Sequence, residues 1–283
     1  MDNSGIYKAH HRTADIKYRV REKEKKNMAQ TILKVTDLCK TYITNKKQNN
    51  ALRNVSFNVG KGEMVAIMGP SGSGKSTLLY TASGMDDATS GEVLLDGDNI
   101  ASMPKKKLAN VRLEKMGFIF QQMHMLKNLT TLDNIILPAT EAKSKKRSRK
   151  EIREQGEALM RKMGIIDTAG HDINEVSGGQ LQRACICRSM INDPQIIFAD
   201  EPTGALNRSS SDEVMEMLCS LNRDGTTIMM VTHDARVAAK CSRVMFIVDG
   251  EIRGEKELGV CEESANIRDR ERTLNNWLME MGW

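Results

Sequence analysis

Gly69-Pro70-Ser71-Gly72-Ser73-Gly74-Lys75-Ser76-Thr77 decides the fold. Residues 69–76 match G-x-x-x-x-G-K-[ST] at every fixed position, and the flanks suit the pattern. The apolar run Met64 to Met68 before it has strand length, and Thr77-Leu78-Leu79-Tyr80 after it favours a helix. Successive backbone N–H groups curl around a phosphate only where side chains are absent, which accounts for Gly72 and Gly74. The helix that follows turns the positive end of its dipole to the same phosphates. Lys75 is placed for the β/γ oxygens of a nucleotide and the Ser76 hydroxyl for Mg²⁺. Gly69, Ser71, Gly72, Ser73, Gly74, Lys75, Ser76 and Thr77 are therefore the first candidate binding residues, and the strand–loop–helix unit predicts an α/β protein.

Far downstream, Ile196-Ile197-Phe198-Ala199-Asp200-Glu201 closes a short apolar run with two acids. A carboxylate at Asp200 is suited to hold Mg²⁺ through its water shell, since Mg²⁺ gives up water reluctantly. Glu201 follows directly and is set to polarise an attacking water. An acidic pair after a strand says little alone; beside a phosphate loop it points to nucleotide hydrolysis. Gln195 to Asp200 and Thr227 to Thr232 have the short, strongly apolar character of parallel strands covered on both faces. Ile32 to Val35, Leu52 to Val59, Gly91 to Gly97, residues 117–120 and Arg243 to Glu251 add strand and hairpin signals. From about 122 to 190 the character turns helical, with Ile152, Leu159 and Met163 at helical spacing. Ser177 ahead of Gly178, Gly179 and Gln180 reads as an N-cap with a capping box. The bare N–H groups at the two glycines make that helix end an anion site.

The 283 residues are 40% hydrophobic and 28% charged, ordinary values for a globular chain, but only 4% aromatic. An aliphatic core with methionine is expected. The longest apolar stretches fall well short of the roughly 20 residues of a transmembrane helix. The polar, basic N-terminus lacks the apolar segment of a secretory signal. Any membrane role is expected to come through a partner. The six cysteines are scattered, and Cys185 and Cys187 diverge on a helix, so free thiols of a cytosolic protein are expected. Residues 1–27 hold eight cations against four acids, most of the net charge of +5. The remainder is close to neutral, which argues against a nucleic-acid-binding face. Residues 1–27 read as a disordered basic arm, dispensable if translation starts at Met28, or else attracted to anionic lipid. Lys143 to Lys150 reads as a solvated basic run.

Taken with the phosphate loop and Asp200-Glu201, the Ser177-Gly178-Gly179-Gln180 signature makes the chain resemble the ATPase subunits of ABC transporters. The resemblance runs in the family's order from about Leu33 to about Glu251. It implies a P-loop NTPase core, a mostly parallel sheet flanked by helices, with an antiparallel β subdomain and an inserted α-helical subdomain at about 122–190. The expected division is 1–27 for the arm, 28–256 for the ATPase domain and 257–283 for an amphipathic C-terminal helix. ATP and Mg²⁺ are the implied cofactors, with Ser76, Gln121 and Asp200 on the metal side. Glu201, His233, Gln121 and Lys75 are the implied catalytic set, His233 as a switch that contacts the γ-phosphate and steadies the water and Glu201. Tyr42 matches the aromatic ring that stacks on adenine. The implied partners are a second ATPase subunit, paired head to tail so that each signature helix caps the γ-phosphate held by the other loop, and a membrane permease.

The phrasing Glu201-Pro202-Thr203-Gly204-Ala205-Leu206 and the run Gly117-Phe118-Ile119-Phe120-Gln121 resemble most a subgroup of macrolide exporters, lipoprotein-releasing systems and antimicrobial-peptide (bacitracin-type) transporters. Amphiphilic cargo, a separate permease and a peripheral position at the cytoplasmic face of the membrane are implied. An alternative is a soluble ABC ATPase of a cofactor-assembly or other non-transport complex. The family usually has Asp where this chain has Asn207, and Leu where it has Val176. Met123-His124-Met125-Leu126 suits either a permease-docking groove beside Gln121 or a helix core. Leu274, Trp277, Leu278 and Met281 form one apolar helical stripe that packs on its own domain or docks on a partner.

Overall fold

The computed structural model describes residues 31–44, 47–142, 147–262 and 265–283. The basic arm at 1–27, the Met28 start and the first half of the Lys143 to Lys150 run, residues 143–146, lie outside them. The chain opens with β1 (Thr31–Thr44), β2 (Lys47–Gly60) and β3 (Met64–Met68), and α1 (Lys75–Ala82) follows the phosphate loop. Next come β4 (Ser90–Leu95), β5 (Asp98–Asn99), α2 (Lys105–Lys115) and β6 (Met116–Ile119). Three helices follow, α3 (Thr131–Glu141), α4 (Arg149–Lys162) and α5 (Gly178–Met190). The remainder alternates: β7 (Ile196–Asp200), α6 (Arg208–Arg223), β8 (Thr227–Val231), α7 (Ala235–Ala238), β9 (Arg243–Val248), β10 (Glu251–Glu257) and α8 (Ile267–Glu280).

These strands form two sheets, an antiparallel one in the order β2-β1-β4-β5 and a larger one in the order β10-β9-β3-β8-β7-β6. In the larger sheet β9, β3, β8, β7 and β6 are parallel, and β10 closes one edge antiparallel. Its central strands are apolar at nearly every position because both faces are covered. Met64, Ala66, Met68, Ile197, Ala199, Ile228 and Met230 face the layer of α3 to α8. Their neighbours Val65, Ile67, Ile196, Phe198, Met229 and Val231 face α1, α2 and the antiparallel sheet. The alternation is the period of two that a pleated strand imposes. Burying one such side chain contributes about 1.5–3 kcal/mol, so the continuous apolar runs are what hold three layers together.

Several sequence expectations change in detail. Helical structure does not start at 122: residues 121–130 form an ordered loop, and the first helix beyond β6 begins at Thr131 behind the Thr130 cap. Helix α2 has no apolar stripe to mark it in the sequence, since it is rich in charged residues and buries only Leu108. The Asp249-Gly250 turn leads into an additional edge strand, β10. The C-terminal stripe packs on its own domain. Leu274 and Leu278 are fully buried, and the Phe246 and Trp277 rings meet edge to face at 6.3 Å. All six cysteines are free, and burial pushes the Cys185 thiol up to about 11. Among the described residues no helix is long and apolar enough to cross a membrane.

Candidate functional site

Three neighbouring strands, β3, β8 and β7, end side by side. Their register sets Ile67, Val231 and Asp200 in one row. The phosphate loop, His233 and Glu201 therefore leave the same carboxyl edge of the sheet, the edge where open α/β sheets bind ligands. The loop is tied at two points. The Ser73 N–H donates to the Pro70 carbonyl at 3.2 Å and the Gly250 N–H to the Ser73 carbonyl at 2.9 Å. Gly74 has φ 102°, and a Cβ there would stand 2.6 Å from the Ala51 carbonyl oxygen. Gly72 has φ 78° but opens on empty space, so its requirement is conformational only. The Ser73 hydroxyl is buried and finds no hydrogen-bond partner among the described residues.

Lys75 folds back over the loop, donating to the Gly69 and Pro70 carbonyls at 2.8 Å each. Burial pulls its ammonium below the usual lysine value, against the opposing carboxylates of Glu201 and Asp200. Ser76 reaches across the sheet, its Oγ donating to Asp200 Oδ1 at 3.0 Å. Tyr80, which no sequence motif singles out, donates its hydroxyl to Asp200 Oδ2 at 2.6 Å. Burial, then this bond, raises the Tyr80 phenol well above the tyrosine range, so it stays a donor. A hydroxyl and a carboxylate on adjoining elements are hard oxygen donors of the kind Mg²⁺ takes, so the residues present fit that ion.

Glu201 sits just beyond the strand end at φ 47°, a left-handed backbone that costs a non-glycine residue about 1–3 kcal/mol. Its N–H donates to the Val231 carbonyl at 3.0 Å, and the Gly204 N–H donates to its own carbonyl at 3.0 Å. The twist turns its carboxylate to His233, whose Nδ1 lies 2.9 Å from Oε1. The His233 side chain is 66% exposed and that of Glu201 only 13%. Gln121 leaves the end of β6 beside the same turn, its Nε2 3.5 Å from where a Gly204 Cβ would stand.

On the other side of the loop opens a cavity of about 350 Å³, lined by Gly72, Lys75 and Thr77, by Tyr42 and Asn50 of the antiparallel sheet, and by Asp249. Ser71 is exposed at the loop's outer rim. The Tyr42 ring is 39% exposed at the cavity wall. Its hydroxyl donates to Asp86 Oδ2 at 2.6 Å, and Lys40 Nζ lies 4.7 Å from its centroid.

Ser177, Gly178, Gly179 and Gln180 do not join this cavity. They start α5 with the capping box read from the sequence. Gln180 N–H donates to Ser177 Oγ at 3.4 Å, and Ser177 N–H donates to Gln180 Oε1 at 3.1 Å. Ser177 and Gly178 are exposed. Buried Gln182, one turn on, donates Nε2 to the Pro202 carbonyl at 2.6 Å, which fastens α5 to the Glu201 turn. Asn207 caps α6, its Oδ1 accepting from Ser210 N–H at 2.9 Å.

A family model described as ABC transporter matches residues 52–204. The chain belongs to the ABC transporter family. Relatives in Bradyrhizobium diazoefficiens and Rhodopseudomonas palustris, both the macrolide export ATP-binding/permease protein MacB, are 40% and 42% identical over 229 residues, 81% of this chain. The chain spans about a third of the length of these curated relatives, 35% and 34%. Two solved structures, a dimeric post-hydrolysis state of the ATP-binding cassette MJ0796 bound to ADP and Pi and a dimeric structure of MJ0796 described as a bacterial ABC transporter cassette, are 38% and 39% identical. Each superposes with a TM-score of 0.75 over 80% of this chain and 98% of that one. Within the ABC transporter family this chain is thus the ATP-binding, ATP-hydrolysing part, with the α/β P-loop fold expected from the sequence.

Proposed function

We propose that this chain hydrolyses ATP at the seam of a head-to-tail pair of its own copies and so drives a membrane permease that moves amphiphilic cargo. The observation that carries it is the meeting of distant residues at one sheet edge. Ser76 touches Asp200 at 3.0 Å and Glu201 touches His233 at 2.9 Å, all beside the Lys75 loop.

ATP displaces the Gly69 and Pro70 carbonyls from Lys75, which then holds the β/γ oxygens, while Gly72, Gly74 and Thr77 cradle the phosphates and Tyr42 takes the adenine. Ser76, Gln121 and Asp200 would hold Mg²⁺, whose chemistry is to neutralise charge on the β/γ-phosphates. Glu201 accepts a proton from the attacking water as its oxygen bonds to the γ-phosphorus and the bridge to ADP breaks. His233 keeps the Glu201 carboxylate turned to that water. The exposed N-terminus of α5, with Ser177 and two glycines, offers unpaired N–H groups to the γ-phosphate of a second copy, as an anion site at a helix start does.

The permease contact is proposed at a groove of about 310 Å³ lined by Met85, Arg112, Phe118, Phe120, Pro138 and Arg188. It adjoins Gln121 and Met123–Leu126 and is mostly apolar, which suits a partner helix. Such a partner would place the chain at the cytoplasmic face of the membrane. A soluble assembly of the same ATPase is the competing reading, and recovery with membranes only when a permease is co-expressed distinguishes them.

The base is tested by Glu201→Gln. The amide keeps the shape but accepts no proton, so turnover should fall by a factor of about 10² or more while ATP binding survives and a closed dimer accumulates on gel filtration. Wild-type turnover in that variant would remove Glu201 from the role.

A further inference from the structure

Two hydroxyls of helix α1, one turn apart, end on one carboxylate. Ser76 holds Asp200 Oδ1 at 3.0 Å and Tyr80 holds Oδ2 at 2.6 Å. Residues four apart share a helix face, so the spacing itself delivers the pair. Asp200 is 6% exposed, and these two hydroxyls are the side-chain hydrogen-bond donors it has among the described residues, with the Lys75 charge nearby. A hydroxyl-to-carboxylate bond of the Tyr80 length is charge-assisted and among the stronger hydrogen bonds a protein makes. The ring is also held from its other side. Its centroid lies 6.4 Å from that of Phe120, which stacks on Phe118 at 5.9 Å, and Phe118 stacks in turn on Phe198 at 5.8 Å. The ring thus has a packing contact that its hydroxyl does not supply.

We infer that Tyr80 is a positioning residue for Asp200. The inference rests on the proposed function, in which Ser76 and Asp200 hold a divalent cation beside ATP. On that reading Ser76 must release Asp200 in order to turn its oxygen to the cation. A carboxylate that loses one of two donors is free to rotate about its terminal torsion, which is broad for Asp. Tyr80 retains Oδ2 and so keeps Oδ1 facing the loop through the exchange. Its phenol is bonded to Asp200 and lines no part of the phosphate-loop cavity, so on this inference the residue acts through Asp200. It should set how tightly the cation is held and leave nucleotide affinity in the absence of metal untouched.

The test uses the full chain with AMP-PNP and Mn²⁺, titrated by electron paramagnetic resonance. Tyr80→Phe keeps the packed ring and removes the hydroxyl. Mn²⁺ affinity of the AMP-PNP complex should drop about tenfold. AMP-PNP affinity in EDTA should stay within about twofold, and the thermal midpoint within about 2 °C. In an Asp200→Asn background the same change should have no further effect on Mn²⁺, since coupled residues are not additive. Unchanged Mn²⁺ affinity in Tyr80→Phe, equal losses with and without metal, or full additivity with Asp200→Asn each overturns the inference. A wild-type chain that binds no Mn²⁺ with AMP-PNP would instead sink the metal site, and with it the proposed function, before Tyr80 is at issue.

Discussion

Asn207 shows how one residue answers to two constraints. The ABC family usually has Asp there, and in the sequence alone the amide is a loss of charge with no local purpose. In the fold it is the N-cap of α6, and its side-chain oxygen accepts from the Ser210 N–H. Asn and Asp cap equally well because the oxygen does the capping. Asn207→Ala should therefore cost about 1 kcal/mol, which is about 2 °C in the thermal midpoint of a chain this size. Asn207→Asp should hold or slightly raise the midpoint, since a negative charge suits a helix start. Thermal melts of the three proteins decide it, and an unchanged Asn207→Ala midpoint would mean that the cap contributes nothing. The same scale explains what is readable beforehand. Lys75, Ser76, Asp200 and Glu201 stand in local patterns that suggest their chemistry in a string, and His233 enters only through the family resemblance. Tyr80 escapes such reading because its meaning depends on Asp200, 120 positions away. The available signal is a lone polar tip four residues after Ser76.

At the scale of elements, the string is most legible where apolar periodicity is strong and least where a polar side chain shapes the backbone. Residues 121–130 carry apolar residues and read as part of a helical region. Buried Asn134 prevents that, accepting from the Leu126 N–H at 2.7 Å and donating to the carbonyls of Leu126, Leu129 and Thr130. Arg188 fixes the other end through the carbonyls of Met123 and His124, at 2.7 and 2.9 Å. No period in the string reports such side-chain-to-backbone bonds. Helix α8 is clamped in the same manner. Arg270 donates to the carbonyls of Ala239, Leu258, Cys241 and Gly259, all within 2.9 Å. Arg270→Ala strips these acceptors of a charged donor while leaving Leu274 and Leu278 in the core. We expect amide exchange in α8 to rise roughly tenfold as the helix opens locally, and ATP affinity to stay at the wild-type value. Hydrogen exchange with mass spectrometry resolves the segment; protection of α8 equal to wild type would show that the apolar stripe alone holds it.

At the scale of the molecule, the proposed function needs two separate surfaces. Lys75, Ser76, Asp200, Glu201 and His233 gather at one sheet edge, whereas Ser177 to Gln180 start α5 and line no part of the loop cavity. On the proposed function one copy carries two half-sites that do not meet, and a two-fold pair is the simplest assembly that uses both. This arrangement makes a prediction that a self-sufficient monomer does not. Lys75→Ala should abolish turnover because the loop no longer holds the phosphates. Ser177→Arg should abolish it because a bulky side chain covers the helix end that caps the γ-phosphate. Mixed in equal amounts, the two inactive proteins form pairs in which one seam joins an intact loop to an intact signature helix. If the seams work independently, random pairing should restore about a quarter of wild-type activity. The recovery should rise with protein concentration, because the working site exists only in the pair. Activity that stays at the level of the separate variants at every mixing ratio, with ATP binding intact in Ser177→Arg, would mean that the signature helix does not complete its neighbour's site.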